Sequence, residues 1–502
     1  MSALEHAIAR SFSAGEPAQP ALSPLRALGR RQLSGVEVLA QSIATTAPAA
    51  SMVVLPIAML TNDTMLGGVL TIAAATIVVS LIAFCISQFT RRLAASGGLY
   101  SFTFHGARAR AALTVGTAML VKYCASGALT LYSGGQAVMT VLDQFHIDAR
   151  GGIPTITIYL LIAASILACL LRGVRFAATA ILVVEVCSLV FILVLLMIPD
   201  GAGRAVDVET AESSHGLLLV ALAAMFSLAG FESATFFAPE ARRPLVNVTR
   251  TVMLTPIICG TLFTFAAWAV WSGRGSTLIE AYLHGSSTGI DPSLVIAVNV
   301  GLSCSWLASS MASSNAASRL VYTLGIERVI PRIFGSVHRR FRTPSVALVC
   351  VVVGFASASI LFSVVPEGPL IDNVKLAARA ALIVGYVLVA VAAVLFLRRI
   401  GELETPVVVA AALASGCGVG VLMLLLFTDG ITDNLVLISV FSVIALSGTI
   451  WASWLRTRSP LGLRSIGVFD SAETTDVLPG SASYGENSRG AVALVKQPHR
   501  ER

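Results

Sequence analysis

Three ionisable side chains lie inside long apolar runs, where a charge is costly to bury. Glu232 lies in "FSLAGFESATFFAPE", Lys122 in "TAMLVKYCASG" and Glu185 in "AILVVEVCSLV". Charges placed inside a membrane usually face a protein interior and mark ion or substrate pathways. Burial favours the neutral form of a carboxyl, so Glu185 is a candidate proton carrier. Glu232 is a candidate gating or coupling carboxylate.

Lys122 and Glu185 should lie at similar depths. At 1.5 Å of helical rise per residue, Lys122 is ~16 Å and Glu185 ~12 Å from the same end of their predicted spans. We therefore hypothesise that these two residues pair, or that they exchange partners during a functional cycle. Snorkelling of Lys122 to the surface and a packed, inactive Glu185 are the alternatives.

The fourth chemical feature is a hydroxyl-rich stretch, "WLASSMASSNAASR". Ser309 and Ser313, and likewise Ser310 and Ser314, are four residues apart and share one helical face. Such hydroxyls can bind a substrate or Na⁺, although small residues also serve ordinary helix packing in membranes.

The elements that carry these residues are membrane spans. The 502-residue chain is 56% hydrophobic and 12% charged, with a mean hydropathy of +0.84. A spanning helix needs about 20 apolar residues. We predict an all-α membrane protein with about twelve spans, at 36–60, 65–88, 112–141, 154–171, 177–198, 216–238, 251–272, 293–321, 344–365, 375–397, 405–427 and 435–455.

Arginines predict the orientation of the spans. One set of loops contains most of them, including Arg91, Arg92, Arg172, Arg175, Arg242, Arg243, Arg328, Arg332, Arg398 and Arg399. The opposite loops contain only Arg150, Arg204, Arg274 and Lys375. By the positive-inside rule we predict that both termini are cytoplasmic. We place the protein in the cell membrane as a multi-pass protein. We divide the chain into an N-terminal tail (1–33), a ten-span core (34–398), spans 11 and 12 (399–455) and a flexible C-terminal tail (456–502).

Spans 1 and 6 are interrupted at matching positions. The first reads "SIATTAPAASMVVLP", with Pro48, and the sixth contains Gly230 and Pro239. Paired broken helices at corresponding positions in two halves point to a binding site between inverted repeats. Freed N–H groups at such a break attract a carboxylate and freed carbonyls attract an ammonium, which suits a zwitterion. A simple proline kink is the alternative.

The eight cysteines fall in eight different apolar runs without metal-ligand spacing. We expect buried, free thiols, and neither a metal site nor a cofactor. The basic net charge of +7 follows from the loop arginines, so we expect no nucleic-acid partner. We also expect no obligate protein partner.

Three stretches resemble the amino acid–polyamine–organocation (APC) family of permeases. They are "ASGGLYSFTFHGAR" (95–108), "FSLAGFESATFFAPEARRPLVNVTRTV" (226–252) and "SSNAASRLVYTLGIERVIPRIFGSVHRRFRTPSVA" (313–347). The resemblance covers residues 34 to 455. It implies a LeuT-like 5+5 inverted repeat and a substrate site among spans 1, 3, 6, 8 and 10. The chain departs from the family's first-break Gly-x-Gly, because residues 45–51 read "TTAPAAS".

The resemblance implies roles for particular residues. Gly230 corresponds to the unwound point of span 6, Phe226 to an aromatic that closes over substrate, Glu232 to a carboxylate beside the break and Ser313 to the substrate-facing side of span 8. The full predicted substrate site comprises Thr45, Thr46, Ala47, Ala49, Ser51, Lys122, Tyr123, Phe226, Ala229, Gly230, Phe231, Ser309 and Ser313.

The predicted function is secondary active transport of an amino acid or related amine, coupled to H⁺, with Na⁺ as the alternative ion. An amino acid/amine exchanger is the competing hypothesis. A transporter-like sensor is disfavoured because the tail after Arg456 is short and shows no domain pattern. An enzyme is the least favoured, since hydrolase, metalloprotease and P-loop motifs are missing from the sequence.

Overall fold

The computed structural model of the chain describes residues 28–29, 32–197, 215–285, 289–365, 369–428, 435–470, 482–486 and 492–496. Most of the predicted N-terminal tail, Arg204 and most of the residues after 470 lie outside this part of the chain. The described residues contain twelve helices that are long and apolar enough to cross a membrane, which confirms the predicted number of spans.

The spans keep the predicted order. They are Gly35–Thr45 with Pro48–Thr61 (span 1), Met65–Thr90 (2), Leu99–Gln144 (3), Gly152–Leu171 (4), Val174–Met197 (5), Gly216–Leu228 with Phe231–Glu240 (6), Pro244–Trp271 (7), Pro292–Ile326 (8), Ser345–Val364 (9), Pro369–Ile400 (10), Thr405–Thr428 (11) and Leu435–Arg458 (12). Short helices Ser276–Leu283, Arg332–Gly335 and Pro460–Ser465 lie between or after them.

Several spans begin at residues that satisfy or remove the free N–H groups of a first helical turn. The Ser34 hydroxyl accepts from the Glu37 N–H, while the Glu37 carboxylate accepts from the Ser34 N–H, which forms a capping box at span 1. Spans 7 and 8 begin with Pro244 and Pro292, whose missing N–H is no loss at that position. Span 7 therefore starts seven residues before the predicted residue 251.

Span 3 is also longer than predicted. It begins at Leu99 rather than near residue 112, because a first helical segment joins the membrane segment across a kink at Arg108. The backbone of Arg108 is non-helical there, with φ 67°. Residues 99–107 are only moderately apolar and are followed by arginines, so the mean hydropathy of this segment is too low to predict a membrane span.

Four of the five corresponding pairs of spans in the two five-span sets pack against each other. Span 1 contacts span 6, span 2 contacts span 7, span 3 contacts span 8 and span 4 contacts span 9. These four pairs are consistent with the predicted 5+5 inverted repeat, which stays a prediction. Spans 11 and 12 lie outside these pairs: span 11 packs on spans 2 and 10, and span 12 packs on spans 3 and 10.

The outer surface of the bundle is apolar, as a bilayer requires. Large side chains such as Ile77, Leu161 and Ile450 are each more than 60% exposed. The expectation of eight buried thiols is wrong: all eight are free, but only Cys85 and Cys259 are buried. Four others are exposed on the outside of the bundle, namely Cys124, Cys187, Cys350 and Cys417. An apolar run in the sequence does not distinguish a lipid-facing position from an inward-facing one, which is why the prediction failed.

We call the end of the bundle where span 1 begins and span 12 ends the terminal side. Residues 459–470, which we predicted to belong to a flexible tail starting at Arg456, instead fold back and pack on this side. Phe469 is buried against Tyr322 of span 8 and Leu28. The boundary of the predicted tail therefore needs correction. Two short strands, Ala482–Glu486 and Val492–Lys496, pair antiparallel beyond this segment.

Candidate functional site

Span 1 is broken at Thr46 and Ala47. The first half ends at Thr45, Ala47 has the left-handed backbone angles φ 45° and ψ 60°, and Pro48 starts the second half. Proline favours this break because it lacks an N–H and clashes with the preceding turn. The break lies after 11 helical residues, about 17 Å along the helix and near the centre of a membrane about 30 Å thick.

Span 6 is broken at Ala229 and Gly230. Ala229 is extended, Gly230 has φ 156°, and the chain continues from Phe231 as a 3-10 helix. A Cβ atom at Gly230 would lie 3.0 Å from the backbone carbon of Thr45. Glycine is therefore required both by the backbone angle and by the close approach of span 1. The predicted unwound point of span 6 is confirmed.

The two breaks lie against each other. The Thr45 and Ser233 hydroxyl oxygens are 3.0 Å apart, and the Ser42 hydroxyl donates to the Phe231 carbonyl at 3.0 Å. The Phe231 carbonyl, at the start of the second half of span 6, thus has a hydrogen-bond partner within the protein, as a membrane interior demands. Thr45, Thr46, Ala47, Ala229, Gly230 and Phe231 are all buried at this junction.

Glu232 is the centre of a fully buried polar cluster beside the span 6 break. Its Oε1 accepts from Lys122 Nζ at 2.9 Å and from the Tyr123 hydroxyl at 2.8 Å. Its Oε2 accepts from the Gly230 N–H and the Tyr386 hydroxyl, both at 2.9 Å. The Lys122 ammonium also lies 3.9 Å from the centre of the Tyr123 ring, a cation–π distance.

The hypothesised pair between Lys122 and Glu185 is therefore wrong for this conformation, since Lys122 pairs with Glu232. Helical rise gave the depth of both residues but not the direction in which each side chain points around its helix. Direction depends on packing, and span 3 packs on spans 8 and 10, whereas span 5 packs on spans 1 and 8.

Glu185 faces the start of the second half of span 1. Its Oε1 accepts from the Ser305 hydroxyl at 2.8 Å and lies 3.5 Å from the Ala49 nitrogen. The neighbouring Ala50 N–H donates to Ser305 at 3.3 Å. The free N–H groups of this half-helix thus face a carboxylate of the protein itself. Glu185 is 3% exposed, and its Oε2 has no hydrogen-bond partner among the described residues.

The serines of span 8 divide between two neighbours. The Ser309 hydroxyl donates to the Thr45 carbonyl at 3.0 Å, one of the carbonyls at the span 1 break, whereas Ser310 donates to Gly127 of span 3 at 3.1 Å. Ser309 therefore lies beside a carbonyl at the span 1 break, and its predicted role in binding a substrate or Na⁺ stays a prediction. Ser313 is fully buried one turn later, and its hydroxyl lacks a partner within the described part of the chain.

The remaining predicted residues lie close to the breaks. Ser51 donates from its hydroxyl to the Thr46 carbonyl at 3.0 Å, and Ala49 is fully buried at the start of the second half-helix. Phe226 lies one turn before the span 6 break and is half-buried. Its backbone carbonyl accepts from the Ala229 N–H at 3.1 Å.

Two important residues escaped the sequence analysis. Tyr386 is a polar aromatic in the otherwise apolar run "ALIVGYVLVA" of span 10, a signal that was present but not used. Ser305 extends the series Ser309 and Ser313 by one more four-residue step, so the helical spacing alone predicts it on the same face.

A second buried ion pair lies between the breaks and the terminal side of the bundle. Arg319 donates from Nε and Nη2 to the two carboxylate oxygens of Glu240, at 2.8 and 3.1 Å. Arg319 also donates to the Asn315 side chain at 2.9 Å, and Asn315 donates to Gln41 of span 1 at 3.2 Å. This network joins spans 1, 6 and 8 on the terminal side of the breaks. It brings together Glu240 and Arg319 from two of the stretches that carry the family resemblance.

Comparison with known sequences identifies the family. The sequence pattern that defines the amino acid permease family matches residues 39–452, which is most of the chain. The chain belongs to the amino acid permease family. The predicted membership of the APC superfamily is thereby confirmed.

Individual relatives are distant. An uncharacterized transporter of Rhizobium meliloti (strain 1021) is 25% identical over 57% of this chain and 64% of its own length. The low-affinity putrescine importer PlaP of Escherichia coli (strain K12) is 24% identical over 56% of this chain and 64% of its own length. The vacuolar cationic amino acid transporter 2 of Arabidopsis thaliana is 22% identical over 57% of this chain and 48% of its own length. The permease chain therefore spans less than two thirds of the length of these relatives.

Proposed function

We propose that this chain is a secondary active transporter that moves amino acids or related amines across the cell membrane by alternating access. The observation that carries the proposal is the apposition of the two helix breaks at the centre of the bundle. Broken helices leave backbone acceptors inside the membrane that a polar substrate can bind. The Thr45 and Thr46 carbonyls each accept one hydroxyl of the protein, from Ser309 and Ser51, and a carbonyl oxygen has a second lone pair for a substrate donor. The site is closed in this conformation, because Lys122, Tyr123, Phe231 and Glu232 are all fully buried.

The family relationship supports the same function. Two of the relatives are named as a putrescine importer and a cationic amino acid transporter. Both names refer to substrates with ammonium groups, which backbone carbonyls beside a helix break can bind. An enzyme is disfavoured for the same reason, since these relatives are named as transporters.

We further propose that H⁺ is the coupling ion and that Glu185 carries it. Glu185 is buried, and only one of its two carboxylate oxygens has a hydrogen-bond partner among the described residues. Because that oxygen faces the first N–H groups of the second half of span 1, gain or loss of a proton changes the attraction between spans 1 and 5. A change at this point can couple protonation to movement of the broken helix. Na⁺ bound by Glu185 and Ser305 is the alternative.

Uptake into vesicles of purified protein tests the proposal. With an acidic exterior, the wild type is expected to accumulate a labelled amino acid or amine, and a protonophore should abolish that accumulation. Glu185→Gln should lose accumulation driven by the pH gradient while keeping exchange of internal for external substrate. Glu404→Gln, a change at an exposed loop carboxylate, serves as the matched control.

Three results would revise the proposal in different ways. Accumulation by Glu185→Gln with the wild-type pH dependence would exclude Glu185 as the carrier. Uptake that needs internal amino acid but no gradient would identify an exchanger. A requirement for a Na⁺ gradient and not for a pH gradient would show that the coupling ion is Na⁺ instead of H⁺.

A further inference from the structure

The carboxylate beside the span 6 break has no hydrogen-bonding capacity to spare. An ionised carboxylate offers about four acceptor positions. Glu232 uses four, toward Lys122, Tyr123, Gly230 and Tyr386. A substrate ammonium can reach Glu232 only by displacing one of these donors. The predicted gating or coupling carboxylate, Glu232, is therefore already neutralised by the protein and is not free to bind a substrate ammonium.

The donor that neutralises Glu232 is itself held in place. Lys122 is fully buried, its ammonium is 2.9 Å from Glu232 Oε1, and the same ammonium lies over the Tyr123 ring. An ammonium has three donor hydrogens, and the bond to Glu232 uses one of them. Lys122 therefore places a fixed positive charge beside the break with capacity for a further acceptor, such as a substrate carboxylate.

The charge balance of the site follows from these contacts. Lys122 and Glu232 together are neutral, and Glu185 lies on a different span against the start of the second half of span 1. A substrate with two ammonium groups would bring two positive charges next to Lys122 without an unpaired carboxylate at Glu232 to receive them. A zwitterion brings one carboxylate for Lys122 and one ammonium for the carbonyls at the breaks.

We propose that Lys122 determines the substrate class of this transporter by selecting amino acids of zero net charge and excluding polyamines. This inference rests on the proposed transport function and goes beyond it. It separates the chain from relatives named for putrescine and for cationic amino acids, although they share its family. Lys122 acts by direct attraction of the substrate carboxylate and by holding Glu232 in its neutral pair.

Ligand-induced thermal stabilisation of the purified, detergent-solubilised full chain tests the inference without depending on coupling. The probes are the twenty L-amino acids, tested singly, and putrescine. The wild type should be stabilised by at least one amino acid of zero net charge and not by putrescine. Lys122→Met should lose about tenfold or more in affinity for that amino acid, as expected for one lost ionic contact, and should gain measurable affinity for putrescine.

A second variant keeps the inference testable if the single change unfolds the protein. Removal of Lys122 alone leaves a buried, unpaired carboxylate, which is strongly destabilising. Lys122→Met combined with Glu232→Gln removes both charges and should bind neither putrescine nor the zwitterion well. Lys375→Met is the matched control, because Lys375 is a surface residue paired with Asp372 and should leave both affinities unchanged.

The outcomes separate the inference from the function on which it rests. If folded Lys122→Met, or the double variant, binds the amino acid with wild-type affinity, Lys122 does not select substrate. If the wild type prefers putrescine, the inference is wrong while transport stands. If the wild type binds none of the probes and takes none up into vesicles, the transport proposal itself fails.

Discussion

The ion pair between Arg319 and Glu240 is buried, doubly hydrogen-bonded and joins spans 6 and 8. Arg319 is 2% exposed and Glu240 is 1% exposed. Loss of one partner leaves a buried charge without a counter-charge, which typically costs about 3–5 kcal/mol. By contrast, the exposed pair between Arg92 and Glu402 has side chains that are 30% and 57% exposed, and such pairs contribute about 0–1 kcal/mol.

Glu240→Gln should therefore destabilise the protein far more than Glu402→Gln. The measurement is the midpoint of thermal unfolding in detergent, followed by tryptophan fluorescence or by loss of the monodisperse elution peak. We expect a clear decrease for Glu240→Gln and a midpoint close to that of the wild type for Glu402→Gln. Equal midpoints for the two variants would mean that the buried network does not hold spans 6 and 8 together.

At the scale of single residues, the sequence identified the polar residues that are rare in apolar spans, but it did not predict which of them contact each other. Lys122, Glu185, Glu232 and Ser309 were identified because polar groups are rare in apolar runs, and all four lie near the breaks. Their partners depend on how the helices rotate and pack, which helical spacing within one span does not contain. Tyr386 shows the limit: it completes the Glu232 cluster from span 10, far away in the sequence.

At the scale of elements, the broken helices were predictable because proline and glycine act locally. The ends of the breaks at Thr45 and Pro48, and at Leu228 and Phe231, follow from missing hydrogen bonds and a positive φ angle. The packed segment 459–470 was not predictable in the same way. Its sequence is short and mixes apolar residues with Gly, Ser and Pro, and its order comes from tertiary contacts with residues more than a hundred positions earlier.

Those contacts make Gly467 a sensitive position. Its φ is +74°, and a Cβ atom there would lie 2.3 Å from the Phe104 ring. Gly467→Ala should therefore release the segment and speed cleavage by trypsin after Arg464, which is exposed but held in the packed segment. Gly354→Ala is the control, because its Cβ would meet nothing within 4 Å. Equal cleavage of both variants would show that the segment is not held by this contact.

The same segment should respond to pH through Glu327, which lies just beyond span 8. Glu327 accepts from the Gly467 N–H at 2.8 Å and from the Tyr100 hydroxyl at 2.6 Å. Burial, and then the neighbouring Asp470 carboxylate, raise the pKa of Glu327 well above its usual range. Asp470 in turn accepts from Ser101 at 2.9 Å and lies 3.2 Å from His105.

Because the pKa of Glu327 is higher in the packed state than in the released state, the packed state is favoured while Glu327 is protonated. The packing of 459–470 should therefore weaken as pH rises from the usual glutamate pKa of about 4.3 toward the raised value. Cleavage after Arg464, divided at each pH by the cleavage of an unstructured reference peptide, should increase across this window. Glu327→Gln should flatten the dependence, and an unchanged pH profile in that variant would exclude Glu327 as its source.

At the scale of the whole molecule, the number and order of the spans were predictable from hydropathy, since a membrane fixes the length of an apolar helix. The pairing of spans 1–4 with spans 6–9 was not predicted, because hydropathy does not specify which spans are neighbours. The predicted cytoplasmic position of both termini rests on the arginine distribution and stays a prediction. Cysteines placed singly at Arg172 and Arg274, in a variant without the eight native thiols, would measure it by labelling with an impermeant thiol reagent in intact and in permeabilised cells.

The central claim is that the two apposed breaks form the substrate site of a transporter. Uptake by wild type, Gly230→Ala and Gly354→Ala in vesicles tests it most directly, with folding of each variant checked by its elution profile. Alanine at Gly230 would strain the backbone at φ 156° and force the Thr45 backbone to shift, which disturbs the fit between the breaks, whereas alanine at Gly354 would meet open space. We predict that the wild type and Gly354→Ala transport an amino acid or amine and that folded Gly230→Ala loses at least about tenfold of that rate. Transport by Gly230→Ala at the wild-type rate, or none by the wild type, would contradict the claim.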